Sequence, residues 1–130
     1  MHVLGISGLD RAIAFREQHY PDIQRRELRI TQGLDAAAAL VGPDGIVGAA
    51  AEERFTGHKG TERFPAGAID AVLAQAGLRL DQVDRIAHGF AYDAVAASLA
   101  QSGDARVEFE QVQSRDAQLS VLRERWGDGP

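Results

Sequence analysis

Ala36-Ala37-Ala38-Ala39-Leu40-Val41, Gly42-Pro43-Asp44-Gly45 and Ile46-Val47-Gly48-Ala49-Ala50-Ala51 follow one another without a break. Two apolar runs flank a tetrad in which Pro43 presets φ, Asp44 can bond its own backbone and Gly45 can take a positive φ. That pattern predicts a β-hairpin. Alanine is a weak strand former, so a helix over Ala36–Leu40 is the competing reading. Upstream, the apolar run His2–Ser7, closed by Gly8, predicts a buried first strand. Leu9–Arg29 between them is rich in charge. It predicts one helix-like piece over Arg11–His19, stopped by Pro21, and otherwise a surface excursion between two strands.

Downstream, Glu52–Phe64 is polar and punctuated by glycine, which predicts a loop. Ile69, Val72, Leu73 and Ala76 keep the spacing of one helix face; Pro65 suits a first turn and Gly77 a stop. Arg85–Gly89 predicts a short strand, and Ala91–Gln101 a helix with Asp93 as a candidate cap. Val107–Val112 alternates apolar and polar residues, the signature of a half-exposed strand. Leu119, Leu122 and Trp126 mark one face of a last helix, so residues 113–130 are expected to form a C-terminal helix and a frayed tail.

The composition narrows the function classes. The 130 residues include no cysteine, 14 glycines, and 14 basic against 19 acidic side chains, for a net charge of −5. Without cysteine there is no disulfide framework, Cys-ligated zinc, iron–sulfur cluster or thiol nucleophile. The acidic balance argues against nucleic acid as partner, because that affinity rests on Lys and Arg neutralising phosphates. The segment Met1–Ser7 is too short and too quickly polar for a signal peptide, and no apolar run approaches the roughly 20 residues that span a bilayer. A cytoplasmic, membrane-free protein is the expectation.

Three stretches carry a family resemblance: Val3-Leu4-Gly5-Ile6-Ser7, Gly33-Leu34-Asp35-Ala36-Ala37-Ala38-Ala39-Leu40-Val41, and Ile46–Ala51 continuing into Glu52-Glu53-Arg54-Phe55-Thr56, with Phe64-Pro65 and Ala68-Ile69 beyond. Together they resemble the start of the O-carbamoyltransferases of the nodulation-factor and antibiotic-tailoring type, over residues 1 to about 90 apart from the Leu9–Arg29 excursion. The resemblance implies an α/β fold: the N-terminal portion of an actin-like (ribonuclease-H-like) domain, with three antiparallel strands followed by alternating helices and strands. This domain is similar to the universal tRNA-threonylcarbamoyl synthase subunit. In the family a second domain makes carbamoyl-adenylate from carbamoyl phosphate and ATP, and the first transfers the carbamoyl group to a hydroxyl of a natural product. The family's transfer site holds a metal, often iron, through a His-x-x-x-His pair and aspartates. This chain's histidines, His2, His19, His58 and His88, contain no such pair. The implied ATP and iron-type metal therefore belong to sequence outside this chain, and the 130 residues are expected to be an incomplete catalytic domain. The implied partners are the remaining domains or subunit and a small-molecule hydroxyl acceptor.

The resemblance also nominates site residues. Asp35 matches the family's Asp, where a carboxylate would orient a hydroxyl or accept its proton; the alternative is a turn or cap Asp. Lys59 matches a lysine facing the reaction site, where an ammonium would neutralise charge growing on a carbamoyl oxygen; the alternative is a solvated loop lysine. Glu53, Arg54 and His58 are the candidate substrate-binding residues. Strand alternation through the end of the third strand would put Glu53 and Phe55 on one side, Glu52 and Arg54 on the other. Leu34 and Gly60 replace two family histidines. They favour a second reading, a non-catalytic pseudoenzyme or assembly module of the same fold. His88, after the fourth strand, is expected to be partly buried, and Trp126 to pack on a core. No G-x-x-x-x-G-K-[ST] or G-x-G-x-x-G phosphate loop occurs.

Overall fold

The computed structural model describes residues 1–30, 35–61, 63–89, 91–99 and 103–129. It is an α/β fold built on a mixed four-stranded sheet in the order β3-β2-β1-β4, formed by β1 (Val3–Ser7), β2 (Ala37–Gly42), β3 (Gly45–Ala51) and β4 (Arg85–His88). β1 runs antiparallel to β2 and β2 to β3, whereas β4 joins β1 in parallel, with Leu4 opposite Ile86 and Ile6 opposite His88. The hairpin forms as its turn chemistry predicts. Gly42 faces Gly45, and Gly45 adopts φ of 120°, which glycine alone tolerates at little cost. The register slips between Leu40 and Val41, so Val47 is the extra residue of a bulge. Gln75 reaches across and donates to the Val47 carbonyl at 2.9 Å.

The parallel β1–β4 pair needs a crossover, supplied by α4 (Ala66–Ala76) and a 3-10 turn at Leu80–Gln82. α4 buries Ile69, Val72 and Leu73 of the expected face, and Ala68 besides, against Leu4 and Ile6 of β1 and Ala38 and Leu40 of β2, while Ala76 of that face is partly buried at the edge of the core. α7 (Arg115–Trp126) adds Val121 and Leu122 to the same core. Its Trp126 lies 6.3 Å from Phe64 ring to ring, and the indole N–H donates to Asp70 of α4 at 2.6 Å. The other face of the sheet presents small side chains, with Ala39 of β2 opposite both Gly5 and Ala49.

Three expectations are corrected. Glu52–Phe64 is not merely a loop, because it opens with a helical turn, α3 (Glu53–Thr56). Leu9–Arg29 is more than a surface excursion. It contains α1 (Ala12–His19) and enters α2 (Arg25–Ile30), and Leu9, Ala12 and Phe15 are buried in a second small core with Val112. Val107–Val112 forms no strand. After a 3-10 turn (Tyr92–Val95) and α5 (Ala96–Leu99), the chain passes through α6 (Gly103–Glu108) into a π-helical turn, Phe109–Gln113. The physical reason is Glu108. It is 5% exposed and accepts from Arg16 Nε at 2.6 Å, so a position expected on a solvated strand face is instead turned inward onto α1. Strands and helices thus do not alternate to the end of the chain.

Around that ion pair, burial raises the Tyr92 phenol above its ordinary value, helped by the Glu108 carboxylate and opposed by Arg16. Burial raises Tyr20 too, with Glu108 and Asp104 adding to it and Arg16 opposing. A raised phenol stabilises the folded state fully below the ordinary tyrosine pKa and loses that contribution as pH climbs through the raised value. Ultraviolet absorbance titration should find both tyrosines ionising later than free tyrosine, and Tyr92→Phe should flatten the alkaline loss of stability. Removing one partner of the buried pair, as in Arg16→Ala, is expected to cost about 3–5 kcal/mol in urea unfolding, whereas Arg16→Met with Glu108→Leu should recover most of it.

Candidate functional site

The C-terminal ends of β1, β3 and β4 and the N-terminal end of β2 meet at one end of the sheet. Ser7 closes β1 there, and its hydroxyl donates to the Asp35 carbonyl at 3.1 Å. Asp35 takes φ of 69°, a left-handed conformation that Asp tolerates better than most residues. Its side chain is exposed and makes no hydrogen bond among the described residues. Ala36, the next residue, donates its N–H to the Thr61 carbonyl at 3.1 Å, which brings the loop carrying Lys59 beside the start of β2. Asp35 and Lys59 thus reach the same end of the sheet from segments more than twenty residues apart in sequence. Leu34 lies outside the described residues.

Glu52 organises this end. It is 6% exposed, yet strand alternation gave it no special standing. Its N–H donates to the Ala36 carbonyl at 2.8 Å, and its own carbonyl accepts from Phe55 and Thr56 to start α3. Its carboxylate reaches the first turn of α4, accepting from Gly67 N–H at 3.2 Å and Ala68 N–H at 2.8 Å. The residue preceding that helix is Pro65, whose side chain cannot cap, so a distant carboxylate does the capping and meets the positive end of the helix dipole. Gly67 leaves room for Phe55 of α3 to lie against this turn, since a Cβ there would stand 2.8 Å from the Phe55 ring.

Of the three candidate substrate-binding residues, Glu53 is half-buried and its carboxylate accepts the Gly60 N–H at 3.1 Å, closing the loop onto α3. His58 is exposed and folds back locally, its Nδ1 2.9 Å from the Thr56 carbonyl. Arg54 is exposed in the last turn of α3. The expected strand alternation of Glu52–Phe55 is overturned, because a helical turn points these side chains in other directions than a strand would. Lys59 is exposed at the tip of the loop. His88 is half-buried, its Nε2 3.0 Å from the Gly8 carbonyl and its ring 5.8 Å from Tyr92. Glu52 was detectable in sequence only as a Glu fourteen residues before a helix that has proline where a cap belongs, a separation no local capping pattern covers.

No protein-family profile matches the chain. Over 52 residues it is 48% identical to an uncharacterized protein of Synechocystis sp.. The match covers 40% of this chain and 8% of that protein, so the chain corresponds to a small part of a much longer relative. No described helix is long and apolar enough to cross a membrane.

Replacing Glu52 with Ala strands two N–H groups at the start of α4 and is expected to cost about 2–4 kcal/mol in urea unfolding. Glu52→Gln, which can still accept but lacks the charge, should cost about half as much.

Proposed function

We propose that this chain is the N-terminal portion of the transfer domain of an O-carbamoyltransferase, on the actin-like fold, and forms one wall of its transfer site. The observation that carries this reading is the meeting of Asp35 with the Lys59 loop at one end of the sheet, through the Ala36–Thr61 hydrogen bond. The residues concerned lie within or next to the stretches that carry the resemblance. The sheet order, with three strands successively antiparallel and a crossover helix leading to a parallel fourth, is compatible with that fold. A match to 8% of a much longer protein suits a chain that works as part of something larger.

In this reading the Asp35 carboxylate orients an acceptor hydroxyl and takes its proton as the oxygen attacks the carbamoyl carbon of carbamoyl-adenylate, whose bond to the phosphate oxygen breaks so that AMP leaves. The Lys59 ammonium faces the carbamoyl oxygen, where negative charge grows. Glu53 acts at one remove, by holding the Gly60 N–H and so the shape of the Lys59 loop. The iron-type metal implied by the resemblance does not fit here. Among the described residues no three His, Asp or Glu side chains come together, so it is assigned, with the ATP site, to sequence outside these residues.

A second reading, a non-catalytic assembly module, is favoured by one specific observation. Glu52 and Glu53, the acidic pair of the most family-like segment, both commit their carboxylates to backbone N–H groups. Co-expression with a polypeptide carrying the remaining domains, followed by a carbamoyl-transfer assay on hydroxylated acceptors, separates the two. Transfer that falls about a hundredfold in Lys59→Ala and at least as far in Asp35→Asn supports catalysis. A stable complex whose transfer is untouched by either substitution supports the assembly role.

A further inference from the structure

Asp35 is one of two described residues other than glycine with a positive φ, and 69° lies in a region that an L side chain occupies at a cost. Such a conformation persists only where the surrounding structure holds it, and it gathers at functional sites. The holding groups are visible here. The peptide plane joining Asp35 to Ala36 is gripped at both ends. Its carbonyl accepts the Ser7 hydroxyl at 3.1 Å, and its N–H donates to the Thr61 carbonyl at 3.1 Å. The next carbonyl, that of Ala36, accepts the Glu52 N–H at 2.8 Å, which ties the same stretch to the end of β3. Groups from β1, from the end of β3 and from the Lys59 loop thus converge on one bend.

Two of these three grips run from main chain to main chain, so most residues could supply them. The grip from Ser7 needs a side-chain donor. Ser7 ends β1 opposite Ala37, and a Cβ on Gly89 would stand 3.7 Å from its own Cβ. Its neighbours across the sheet are therefore small and bring no competing acceptor side chain. The core does not require a polar residue at this place, because β1 buries Leu4 and Ile6 and Ser7 alternates with them. A serine hydroxyl has one proton to donate. Here it goes to the carbonyl of the residue whose own carboxylate stays exposed.

We propose that Ser7 is a positioning residue: through the Asp35 carbonyl it keeps the Asp35 carboxylate aimed at the acceptor hydroxyl. The inference deepens the carbamoyl-transfer reading and rests on it. Ser7 itself touches no reacting atom. In the full chain, the HN–Hα coupling and carbon shifts of Asp35 report the sign of its φ. Ser7→Ala should leave amide exchange in β1 and β2 unchanged and move Asp35 toward negative φ, whereas Ser7→Thr should keep it positive. In the complex with the remaining domains, Ser7→Ala should lower kcat for transfer about tenfold, the size of one net hydrogen bond, with KM within about twofold. Ser7→Thr, which restores the hydroxyl, should recover most of that loss. The double variant Ser7→Ala/Asp35→Asn should be no slower than Asp35→Asn alone, because Ser7 acts through Asp35. Transfer untouched by Asp35→Asn would sink the carbamoyl-transfer reading and this inference with it. If Asp35→Asn cripples transfer while Ser7→Ala leaves kcat intact, or if the two losses multiply, the reading stands and the inference is overturned. An Asp35 that holds its positive φ without the Ser7 hydroxyl overturns it as well.

Discussion

One buried carboxylate holds one end of the sheet together. Glu52 ends the third strand, accepts the first turn of α3, bonds the start of β2 and caps α4, so four elements converge on one residue. A carboxylate can be this deeply buried only when its oxygens are satisfied, and here two backbone N–H groups at a helix start do so. The cap also has a geometric consequence. It ties the start of α4 to the end of β3, and the same helix carries Asp70, which accepts from the Trp126 indole of α7.

The second ionic anchor, Arg16 with Glu108, does the equivalent work on the other side of the fold. It ties the first helical excursion to the region after β4 and closes a small core of Leu9, Ala12, Phe15 and Val112 around itself. The pair is more a device for placing elements than a source of stability, because the desolvation of two charges offsets most of their attraction. Its removal one partner at a time is nonetheless costly. The two tyrosines near it, Tyr20 and Tyr92, feel both the burial and the Glu108 charge.

These anchors bear on how the segment Glu52–Thr56 is understood. In Glu-Glu-Arg-Phe-Thr, Glu52 supports a helix, Glu53 supports a loop, and Phe55 lies on the Cα of Gly67. Each of these three side chains therefore has an architectural role, whether or not chemistry follows. The groups left open at this end are Asp35 and the Lys59 loop tip, one held in a left-handed turn and the other at the end of a glycine-bounded loop.

Local chemistry determined much of the fold. The turn tetrad Gly42–Gly45 specified the hairpin, the spacing Ile69-Val72-Leu73-Ala76 specified α4, and the apolar run His2–Ser7 and the short stretch Arg85–Gly89 pointed to the strands, because each depends on residues a few positions apart. Asp35, Lys59, Glu53, Arg54 and His58 were visible only through resemblance, and their orientations were not visible at all. Tertiary structure alone decided that Val107–Val112 is helical, since an alternating pattern fits a strand equally well until Glu108 finds Arg16 across ninety residues of chain. It alone decided that Glu52 is buried and Glu53 turned to Gly60. A charged side chain carries no sequence signal for the distant N–H groups that will satisfy it, and only the folded chain brings donor and acceptor together.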